Sequence, residues 1–517
     1  MKALLVQPRA PHTYWGFQHS LGIIGKRASL PPLGLLTLAA LLPRDWELRL
    51  VDLNVEALDD ADLRWADALL LTGMLVHEES MHEVLARARQ AGVRTVVGGP
   101  AATATPARFA DADHIFCGEA EGRLGTLLSA LASGSAPRML ADDGPRPELS
   151  AVLPPRYDLL RRSRYVSMSL QFSRGCPFSC EFCDIVELFG RVPRVKSVEQ
   201  VLGEMDALFA AGWRGSLFFV DDNFIGNRKA VVRLLPEIAR WQRERRFPFE
   251  LYTEASIDLA AQPALLQAMV DAGFSTVFVG IETPSAEALR ETHKLQNLKS
   301  GLAEAVNAIT RAGLEVCSGF IVGFDADGPG IFETQRSFID GLPIPTAMVG
   351  LLTALPGTNL WRRMERERRL RGSAAGDQFG TRPNFLPAMD ERLLLEGYRG
   401  LLSSLYRPEA FFARCERLLR AVGKSHSRPL TAAAPLMLVR IVWALGILSP
   451  RRAHFWRLFA LGLRRPHTFV RALTLATQGE HLLRYTEEDV LPRLDSALAQ
   501  LERERAPASA TASSPGM

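Results

Sequence analysis

Ser173-Arg174-Gly175-Cys176-Pro177-Phe178-Ser179-Cys180-Glu181-Phe182-Cys183-Asp184 contains three of the six cysteines in this chain of 517 residues. Three thiolates with the spacing C-x3-C-x2-C can face one inorganic centre from a single loop, because soft sulfur ligands suit iron-sulfur clusters and zinc. A structural zinc takes a fourth Cys or His, and the 30 residues after Cys183 contain neither. The pattern therefore favours a four-iron cluster with one open iron over zinc, and over a chance clustering of buried cysteines.

The composition is typical of a globular protein with several domains. Hydrophobic residues make up 47% of the chain and charged residues 23%, close to the averages for soluble domains. At roughly 100–200 residues per domain, the length predicts about three domains. A net charge of +4 is spread too thinly to indicate a nucleic-acid partner.

The sequence gives no indication of export. Met1-Lys2 leads directly into a short apolar run that is typical of a strand rather than of a signal peptide. The cysteines lack the spacing of a disulfide framework, and a reducing cytoplasm would keep the central three as thiolates. We therefore expect a cytoplasmic protein.

The first third of the chain, residues 1–135, alternates short apolar strands with helical stretches. This rhythm predicts an open, parallel, doubly wound sheet of the Rossmann-like type, whose ligands sit at the carboxyl ends of the strands. Thr72-Gly73-Met74 and Gly98-Gly99 follow two of the strands, and paired glycines let a ligand approach the backbone closely, although a plain turn explains them as well. The predicted strands are 3–6, 48–51, 68–71, 95–97 and 114–117.

A turn-rich linker, residues 136–164, precedes a second alternating region, residues 165–385. Six further strand and helix repeats predict a partial (β/α)6 barrel, with its chemistry at the carboxyl ends of the strands. The cysteine loop follows the first of these strands and therefore belongs to the functional rim. The predicted strands are 167–172, 216–220, 249–252, 276–279, 317–322 and 347–351.

The other predicted strands of the barrel end in carboxylates. Asp221-Asp222, Glu254 and Glu282 each follow such a strand, and several carboxylates at one opening suit an amino group, a ribose diol or a sulfonium ion. Asp221 or Asp222 has an alternative interpretation as a helix N-cap. Glu282, inside Gly280-Ile281-Glu282-Thr283, is harder to explain structurally.

Residues 386–502 are predicted to form a helical domain, followed by a disordered tail at 503–517. The run 430–448 is apolar, but Pro435 and Arg440 interrupt it and argue against a membrane span. Two interpretations stay open: helices lying at a membrane interface, or a helical cap over the barrel mouth. The arginines of 361–372 are interpreted as a solvated helix face, and Cys317 and Cys415 as buried structural thiols.

The cysteine loop and the barrel rim resemble the radical S-adenosylmethionine (radical SAM) enzymes, in a subgroup that contains the bacterial hopanoid C-2 methylases. The resemblance implies a 4Fe-4S cluster on Cys176, Cys180 and Cys183, and SAM contacts at Asp222, Glu254 and Glu282. It rests on Gln171-Phe172-Ser173-Arg174-Gly175-Cys176-Pro177, Val220-Asp221-Asp222-Asn223-Phe224-Ile225-Gly226-Asn227, Tyr252-Thr253-Glu254-Ala255-Ser256, Gly319-Phe320-Ile321-Val322-Gly323-Phe324-Asp325 and Leu352-Thr353-Ala354-Leu355-Pro356-Gly357-Thr358.

The first domain resembles the cobalamin-binding module of corrinoid enzymes. The resemblance implies that Thr72, Met74, Gly98 and Gly99 line the pocket for the nucleotide tail of the cofactor. The cobalt-ligating Asp-x-His-x-x-Gly of that module is absent from residues 7–12, and many radical SAM relatives lack it too. His12 and His77 lie at strand ends, where each is either a residue that approaches the corrin face or an ordinary loop histidine.

Together these resemblances imply a cobalamin-dependent radical SAM methyltransferase that methylates an unactivated carbon of a small molecule or a hopanoid-like lipid. They also imply an electron donor such as flavodoxin or ferredoxin, and contact with the inner face of the membrane is a further expectation. One alternative keeps the barrel without methyl transfer, for example 3-amino-3-carboxypropyl transfer from SAM or a rearrangement. Another is a non-catalytic, metal-binding membrane adaptor.

Overall fold

The computed structural model describes residues 1–133, 138–140, 144–374, 376–377, 379, 382–426 and 434–505. Within them the chain forms two parallel sheets of six strands each, followed by a group of helices. This is the α/β architecture expected from the sequence: a doubly wound sheet, then a partial barrel, then a helical region. The predicted tail from 506 onward lies outside the described residues.

The first sheet has the strand order β2-β1-β3-β4-β5-β6, with every strand parallel to its neighbours. Side chains alternate between its two faces: Leu4 and Val6 join one apolar cluster, and Ala3 and Leu5 join another. Apolar residues on both faces are typical of a parallel sheet that helices cover on each side. The strands are β1 (Lys2–Gln7), β2 (Glu47–Asp52), β3 (Ala68–Thr72), β4 (Arg94–Gly98), β5 (His114–Phe116) and β6 (Met139–Leu140).

The five strands predicted for this domain are present, and the sixth was missed. Strand β6 has two residues and lies at 139–140, inside the predicted linker, where it pairs with β5. A strand this short has no alternating pattern to detect. The helices of this part are α1 (Gln18–Leu21), α2 (Leu33–Leu41), α3 (Asp60–Trp65), α4 (Glu78–Gln90), α5 (Gly99–Ala104) and α6 (Leu124–Ser133).

The second sheet is the partial barrel, with the order β14-β13-β12-β11-β10-β7 and only parallel pairs. Leu217, Phe219 and Leu251 pack with the outer helices in the main core, so the alternating Phe218 and Tyr252 face the lumen. All six predicted strands are present. They are β7 (Ser167–Leu170), β10 (Ser216–Phe219), β11 (Glu250–Glu254), β12 (Phe274–Glu282), β13 (Glu315–Val322) and β14 (Ala347–Leu351).

A small antiparallel ribbon stands at the rim of the barrel. Strand β8 (Ser173–Arg174) pairs with β9 (Arg194–Val195), so the chain that leaves β7 is fixed immediately before the cysteine loop. The helices of the barrel are α7 (Ile185–Phe189), α8 (Val198–Ala210), α9 (Arg228–Glu244), α10 (Pro263–Asp271), α11 (Ala286–Glu291), α12 (Leu302–Ala312), α13 (Ile331–Gly341) and α14 (Asn359–Arg366).

Tyrosine hydroxyl groups cover both open edges of the barrel sheet. On edge strand β14, the hydroxyls of Tyr398 and Tyr406 donate to the carbonyl oxygens of Val349 (2.8 Å) and Ala347 (2.6 Å). On the opposite edge, the Tyr157 hydroxyl donates to a carbonyl of β7, at 2.8 Å. Unpaired edge groups invite pairing with another chain, and these bonds satisfy three of the edge carbonyl groups internally.

The carboxyl-terminal helices are α15 (Glu391–Leu405), α16 (Pro408–Ala421), α17 (Ala434–Ile441), α18 (Arg452–Arg464), α19 (Phe469–Tyr485) and α20 (Leu491–Arg505). Two π-helical segments, Val442–Leu448 and Thr486–Val490, continue α17 and α19. Helix α20 reaches Arg505, so the first three residues of the predicted tail are helical. In the described part of the chain, no helix combines the length and the apolarity that a membrane crossing requires.

The loop after β1 connects the first domain to these helices. Tyr14 is fully buried, its hydroxyl lies 2.6 Å from the Thr486 hydroxyl, and its ring stacks on Tyr406. The neighbouring Trp15 turns the other way and meets Phe278 of β12, with 4.9 Å between ring centroids. Because Phe278 lies on the lumen face of the barrel, this loop carries an aromatic side chain of the first domain into the barrel.

Candidate functional site

The cysteine loop runs from β8 to α7, and backbone hydrogen bonds hold it tightly. The Cys176 N–H donates to the Gly190 carbonyl (3.2 Å), and the Cys183 N–H donates to the Cys180 carbonyl (3.1 Å). Gly175 has φ +97°, and a Cβ there would lie 2.7 Å from the Gly190 carbonyl oxygen. Only glycine therefore fits directly before the first cysteine.

The spacing of the three thiols suits a cluster better than a single ion. Tetrahedral zinc, with Zn–S bonds of about 2.3 Å, would bring sulfur atoms within roughly 4 Å of one another. Among the described residues, the three cysteines do not form a group whose ligand atoms all lie within 4.8 Å. Burial raises the pKa of Cys176 and Cys183, so both thiols stay protonated until metal displaces their protons. The donor set fits a 4Fe-4S cluster.

An ion-pair network joins this loop to the first domain. Arg174, directly before Gly175, contacts Glu119 (2.8 Å) and Glu121 (2.7 Å), and Arg194 of β9 also contacts Glu119 (2.7 Å). All four side chains are largely or fully buried. Although burial opposes it, the hydrogen bonds with Glu121 and Glu119 raise the pKa of Arg174 above its ordinary value. Both glutamates follow β5, so the rim of one sheet is tied to the rim of the other.

A second network holds the loop from the opposite side. Arg363 of α14 forms a bidentate pair with Glu181 (2.7 and 3.0 Å), which lies between the second and third cysteines. Asp325, after β13, contacts both Arg363 and Arg369. The interpretation of the arginines at 361–372 as a solvated face is therefore wrong for Arg363 and Arg369, whose side chains are 19% exposed. Their partners lie far away in the sequence, so the local pattern could not reveal them.

Three rim carboxylates crowd beside the loop. Asp222 accepts from the Gly175 N–H (3.1 Å), and Asp221 accepts from the backbone N–H groups of Phe172 and Ser173. Burial, with the charge of Asp222, raises the pKa of Asp221 to about 8, and burial raises that of Asp222 to about 6. Burial and the charges of Asp222 and Asp221 raise the pKa of Glu254 to about 8.

Neither aspartate is a helix cap, since the cap of α9 is Asn227, whose side chain accepts from the Ala230 N–H at 3.2 Å. Among the described residues, the Glu254 carboxylate forms no side-chain hydrogen bond or ion pair. Arg174 and Lys196 lower the pKa values of Asp222 and Asp221, but burial outweighs both, and no cation acts on Glu254 among the described residues. A positively charged ligand beside Glu254 would relieve its repulsion from the two aspartates.

Glu282 has a different environment. It ends β12 at φ +65°, where the pairing with β13 shifts register, and its carboxylate forms a buried ion pair with Lys294. Although burial opposes it, the charge of Glu282 and the thiol of Cys180 raise the pKa of Lys294. The side-chain amide of Gln296 donates to the Cys180 sulfur at 3.7 Å. Lys294 and Gln296 were not predicted from the sequence, because no local pattern marks residues that approach a loop more than 100 positions away.

The predicted residues of the first sheet also meet at one edge. Strand register pairs Thr72 with Gly98, and the Thr72 hydroxyl occupies the space where a Cβ of Gly99 would lie. Gly99 has φ +86°, so the backbone itself forms this surface. Met74 is 54% exposed at the same edge.

The two histidines considered near the corrin face have other partners. His77 is buried, its Nδ1 accepts from the Met74 N–H (3.1 Å), and burial lowers its pKa to about 4. His12 lies beside Asp489 of the carboxyl-terminal helices, at 3.9 Å. Of the two other cysteines, Cys415 is buried as expected, whereas Cys317 is partly exposed on the lumen face of β13.

The carboxyl edges of the two sheets face each other. Arg174 follows β7 and binds Glu119 and Glu121 after β5, while Leu355, after β14, packs against the apolar core of the first sheet. Contacts at both ends of the barrel sheet therefore hold the first domain over the rim. The thiols, the rim carboxylates and the glycine edge border one region between the domains.

Three family models match consecutive parts of the chain. The B12 binding domain covers residues 26–128, the Radical SAM superfamily covers 170–330, and a domain of unknown function (DUF4070) covers 358–491. A three-cysteine loop on a partial barrel, joined to a doubly wound sheet, is thus the architecture of a radical SAM enzyme with a cobalamin-binding domain.

Relatives extend this similarity over the whole chain. An uncharacterized methyltransferase of Synechocystis sp. is 40% identical over 94% of this chain and 92% of its own length. The hopanoid C-2 methylase of Rhodopseudomonas palustris is 35% identical over 94% of each chain. The chain belongs to the cobalamin-dependent radical SAM methyltransferases, whose cofactors are the 4Fe-4S cluster, SAM and cobalamin expected from the sequence.

A solved structure shows the same fold. The radical SAM methyltransferase TsrM from Kitasatospora setae, with cobalamin and a [4Fe-4S] cluster bound, superimposes with a TM-score of 0.60 at 16% identity. The match covers 92% of this chain and 99% of that one. At this identity the comparison supports the arrangement of domains alone.

Gly175→Ala should impair cluster assembly. A side chain at this left-handed position costs about 1–2 kcal/mol, and the clash with the Gly190 carbonyl adds to it. Iron and sulfide measured after anaerobic reconstitution should fall well below the wild-type content. The control is Gly203→Ala in α8, where a Cβ meets nothing within 4 Å. Normal iron content in Gly175→Ala would show that the loop tolerates a different path.

Glu254→Gln should stabilise the protein in the absence of SAM, and increasingly so at higher pH. The folded-state pKa of Glu254 is about 8 against an ordinary 4.5, so the folded wild type binds more protons and loses stability as pH rises between these values. The difference in unfolding free energy between Glu254→Gln and the wild type should grow by at most about 1.4 kcal/mol per pH unit and level off above the folded-state pKa. Urea unfolding from pH 5 to 9 measures it. The exposed Glu287→Gln is the control, and its stability should depend on pH as the wild type does. If a bound cation neutralised the Glu254 carboxylate, Glu254→Gln would also match the wild type, which would contradict the prediction.

Proposed function

We propose that this protein methylates an unactivated carbon of a polycyclic, hopanoid-like lipid. The observation that carries the proposal is the 35% identity with a hopanoid C-2 methylase over 94% of both chains. Such similarity covers the cluster barrel, the cobalamin-binding domain and the carboxyl-terminal helices together, and therefore includes the parts that would contact a substrate.

The proposed roles at the rim follow from its charges. Cys176, Cys180 and Cys183 would hold the cluster, and Asp222 and Glu254 would attract the ammonium and sulfonium groups of SAM. Burial raises the pKa of both carboxyl groups, and the charges of Asp222 and Asp221 add to the rise at Glu254, so a cationic ligand would favour their ionised forms. Glu282 already has Lys294 as a partner, so we assign it a smaller share of SAM binding than the sequence suggested.

On the facing edge, Thr72, Met74, Gly98 and Gly99 would receive the nucleotide tail of cobalamin. The positive φ of Gly99 and its contact with the Thr72 hydroxyl create a flat backbone surface there, and the exposed Met74 offers an apolar side chain. When bound, the cluster, SAM and cobalamin supply the electron, the radical and the methyl group, with a flavodoxin or ferredoxin as the proposed electron donor.

The lumen offers an apolar wall for a large substrate. Phe218 and Tyr252 stack at 4.7 Å between ring centroids, and Trp15 contacts Phe278 on the same face of the sheet. Trp15 is 46% exposed, so much of its surface is available to a ligand. These rings would orient a polycyclic hydrocarbon by contact area and exclude water from the reacting carbon.

Expression under anaerobic conditions in a hopanoid-producing host, supplied with cobalamin, tests the proposal. We expect lipids heavier by one methylene, measured by mass spectrometry, and none in the Cys176→Ala control. The purified enzyme should form both S-adenosylhomocysteine and 5′-deoxyadenosine. Methylthioadenosine would instead indicate aminocarboxypropyl transfer. An unchanged lipid profile, with cluster and cobalamin confirmed in the protein, would contradict the lipid assignment.

The same proposal includes contact with a membrane surface, since a hopanoid-like substrate resides there. The segment α17–α18 carries a row of exposed apolar side chains, among them Val439 (64%), Trp443 (58%) and Leu448 (63%). Exposed arginines accompany the row, and arginines beside an apolar face suit an anionic bilayer surface. They are Arg440, Arg452 and Arg464.

Flotation with vesicles that contain phosphatidylglycerol should recover the wild-type protein, and zwitterionic vesicles should recover less. A double variant, Trp443→Ser with Leu448→Ser, should lose most of this binding because it removes apolar area from the row. Val232→Ser, on α9 and also 58% exposed, is the matched control and should bind normally. Equal recovery of all three proteins would contradict contact through this segment.

A further inference from the structure

Two histidines and one aspartate from distant parts of the chain meet outside the proposed active site. His12 and His19 lie in the loop and short helix after β1, and Asp489 lies in the π-helical segment Thr486–Val490. One ligand atom from each lies within 4.8 Å of the others. Asp489 is 3.9 Å from Nδ1 of His12 and 3.5 Å from Nε2 of His19. A small inward movement would bring the three atoms to the separations found around one bound metal ion.

The His19 nitrogen that faces this cluster has no hydrogen-bond partner. Among the described residues, Nε2 of His19 is fully buried without a hydrogen bond, 3.5 Å from the Asp489 carboxylate, and the side chain as a whole is 12% exposed. A buried polar atom without a hydrogen bond costs folding free energy, and an ion bound at this position would offset that cost. His12 is 52% exposed, which leaves one side of the cluster open to water molecules as additional ligands.

A third histidine holds the two ligand histidines in place. Nδ1 of His481 accepts from the His19 backbone N–H (3.4 Å), so its Nε2 carries the proton and donates to the Thr13 carbonyl (2.9 Å). Both bonds fix the backbone of the 12–19 segment, as outer-shell groups commonly do around metals.

Tyr14 fixes the same segment to the helix that carries Asp489. Its buried hydroxyl lies 2.6 Å from Thr486, three residues before the aspartate. Arg493 competes for Asp489: its Nη2 lies 3.7 Å from the carboxylate, while Nη1 of the same guanidinium contacts Asp377 at 3.2 Å. Because Arg493 shares its charge between Asp377 and Asp489, it does not fully neutralise the Asp489 carboxylate, which can still bind a cation on the side that faces the histidines.

We propose that His12, His19 and Asp489 form a binding site for one divalent transition-metal ion of the zinc class. Two imidazole nitrogens and one carboxylate oxygen are donors that such ions prefer, with water completing the shell. The ion would join the first domain to the carboxyl-terminal helices. It would also restrain the loop that places Trp15 against Phe278, 4.9 Å away in the barrel lumen. The site requires neither the cluster nor the lipid assignment.

The test uses the full-length, cluster-loaded protein under anaerobic conditions, so that the three loop cysteines are occupied. After brief chelation, with iron measured to show that the cluster survives, Zn²⁺ is added and the excess is removed. We expect about one zinc ion per chain, with only nitrogen and oxygen neighbours at about 2.0–2.1 Å in zinc X-ray absorption. Zinc should also raise the thermal unfolding midpoint.

Three variants and one control separate this site from adventitious binding. His12→Ala, His19→Ala and Asp489→Asn should each weaken zinc binding at least tenfold, because each removes one of three protein ligands and loss of an outer-shell partner alone typically costs about 10–100-fold. Since His12 is half exposed, its replacement leaves the core intact, and circular dichroism should match the wild type. His82→Ala is the control, because His82 lies near Glu78 and Asp111 without a second histidine.

The outcomes are decisive in both directions. Zinc retained in wild type and His82→Ala but lost in well-folded His12→Ala supports the site. Absence of bound zinc in the wild type, sulfur neighbours in the absorption spectrum, or equal zinc in His12→Ala and wild type overturns it. If the wild type binds no zinc, the three side chains form only an ion-pair cluster.

Discussion

The buried pairing of Arg174 with Glu119 and Glu121 is the interaction on which the arrangement of this protein depends. Arg174 immediately precedes the cysteine loop, and both glutamates follow β5 of the first sheet. Removal of one partner from such a pair leaves an uncompensated buried charge, at a cost of about 3–5 kcal/mol. Arg194 from the rim ribbon and Arg363 from α14 extend this bracing to both sides of the loop. These few ion pairs therefore set both the position of the cysteine loop and the position of the facing edge of the first sheet.

The rim separates its carboxylates into two groups by their partners. Glu282 has a lysine, and the pair is neutral beside the cysteine loop. Asp221, Asp222 and Glu254 lie together, and burial raises all three pKa values, with the charge of Asp222 adding to the rise at Asp221 and the charges of both aspartates adding to the rise at Glu254. A cationic ligand would release this repulsion, so affinity for a positively charged molecule is built into the unliganded rim. Asp221 contributes by holding the backbone of residues 172 and 173, which positions the first turn of the loop.

The segment after β1 links all three regions. Tyr14 enters the core of the carboxyl-terminal helices, Trp15 enters the barrel, and His12 and His19 approach Asp489. Tyrosines perform the related task of closing the barrel sheet, with Tyr157 on one edge and Tyr398 and Tyr406 on the other. The helical region supplies Tyr398 and Tyr406 to this closure. It completes the barrel edge and leaves the apolar row of α17–α18 exposed.

The sequence alone determined the order of the elements and the chemistry of the central loop. Strands of apolar residues with helices between them predict parallel sheets, and three cysteines without a fourth ligand predict an open iron, because both signals are local. It also placed Asp222 and Glu254 at strand ends, where parallel strands must bring them together. Only the tertiary structure revealed Lys294 beside Glu282, Arg363 beside Glu181, and the meeting of His12 and His19 with Asp489. These contacts join residues that are distant in the chain, and long-range pairing of charges leaves no periodic pattern in a sequence.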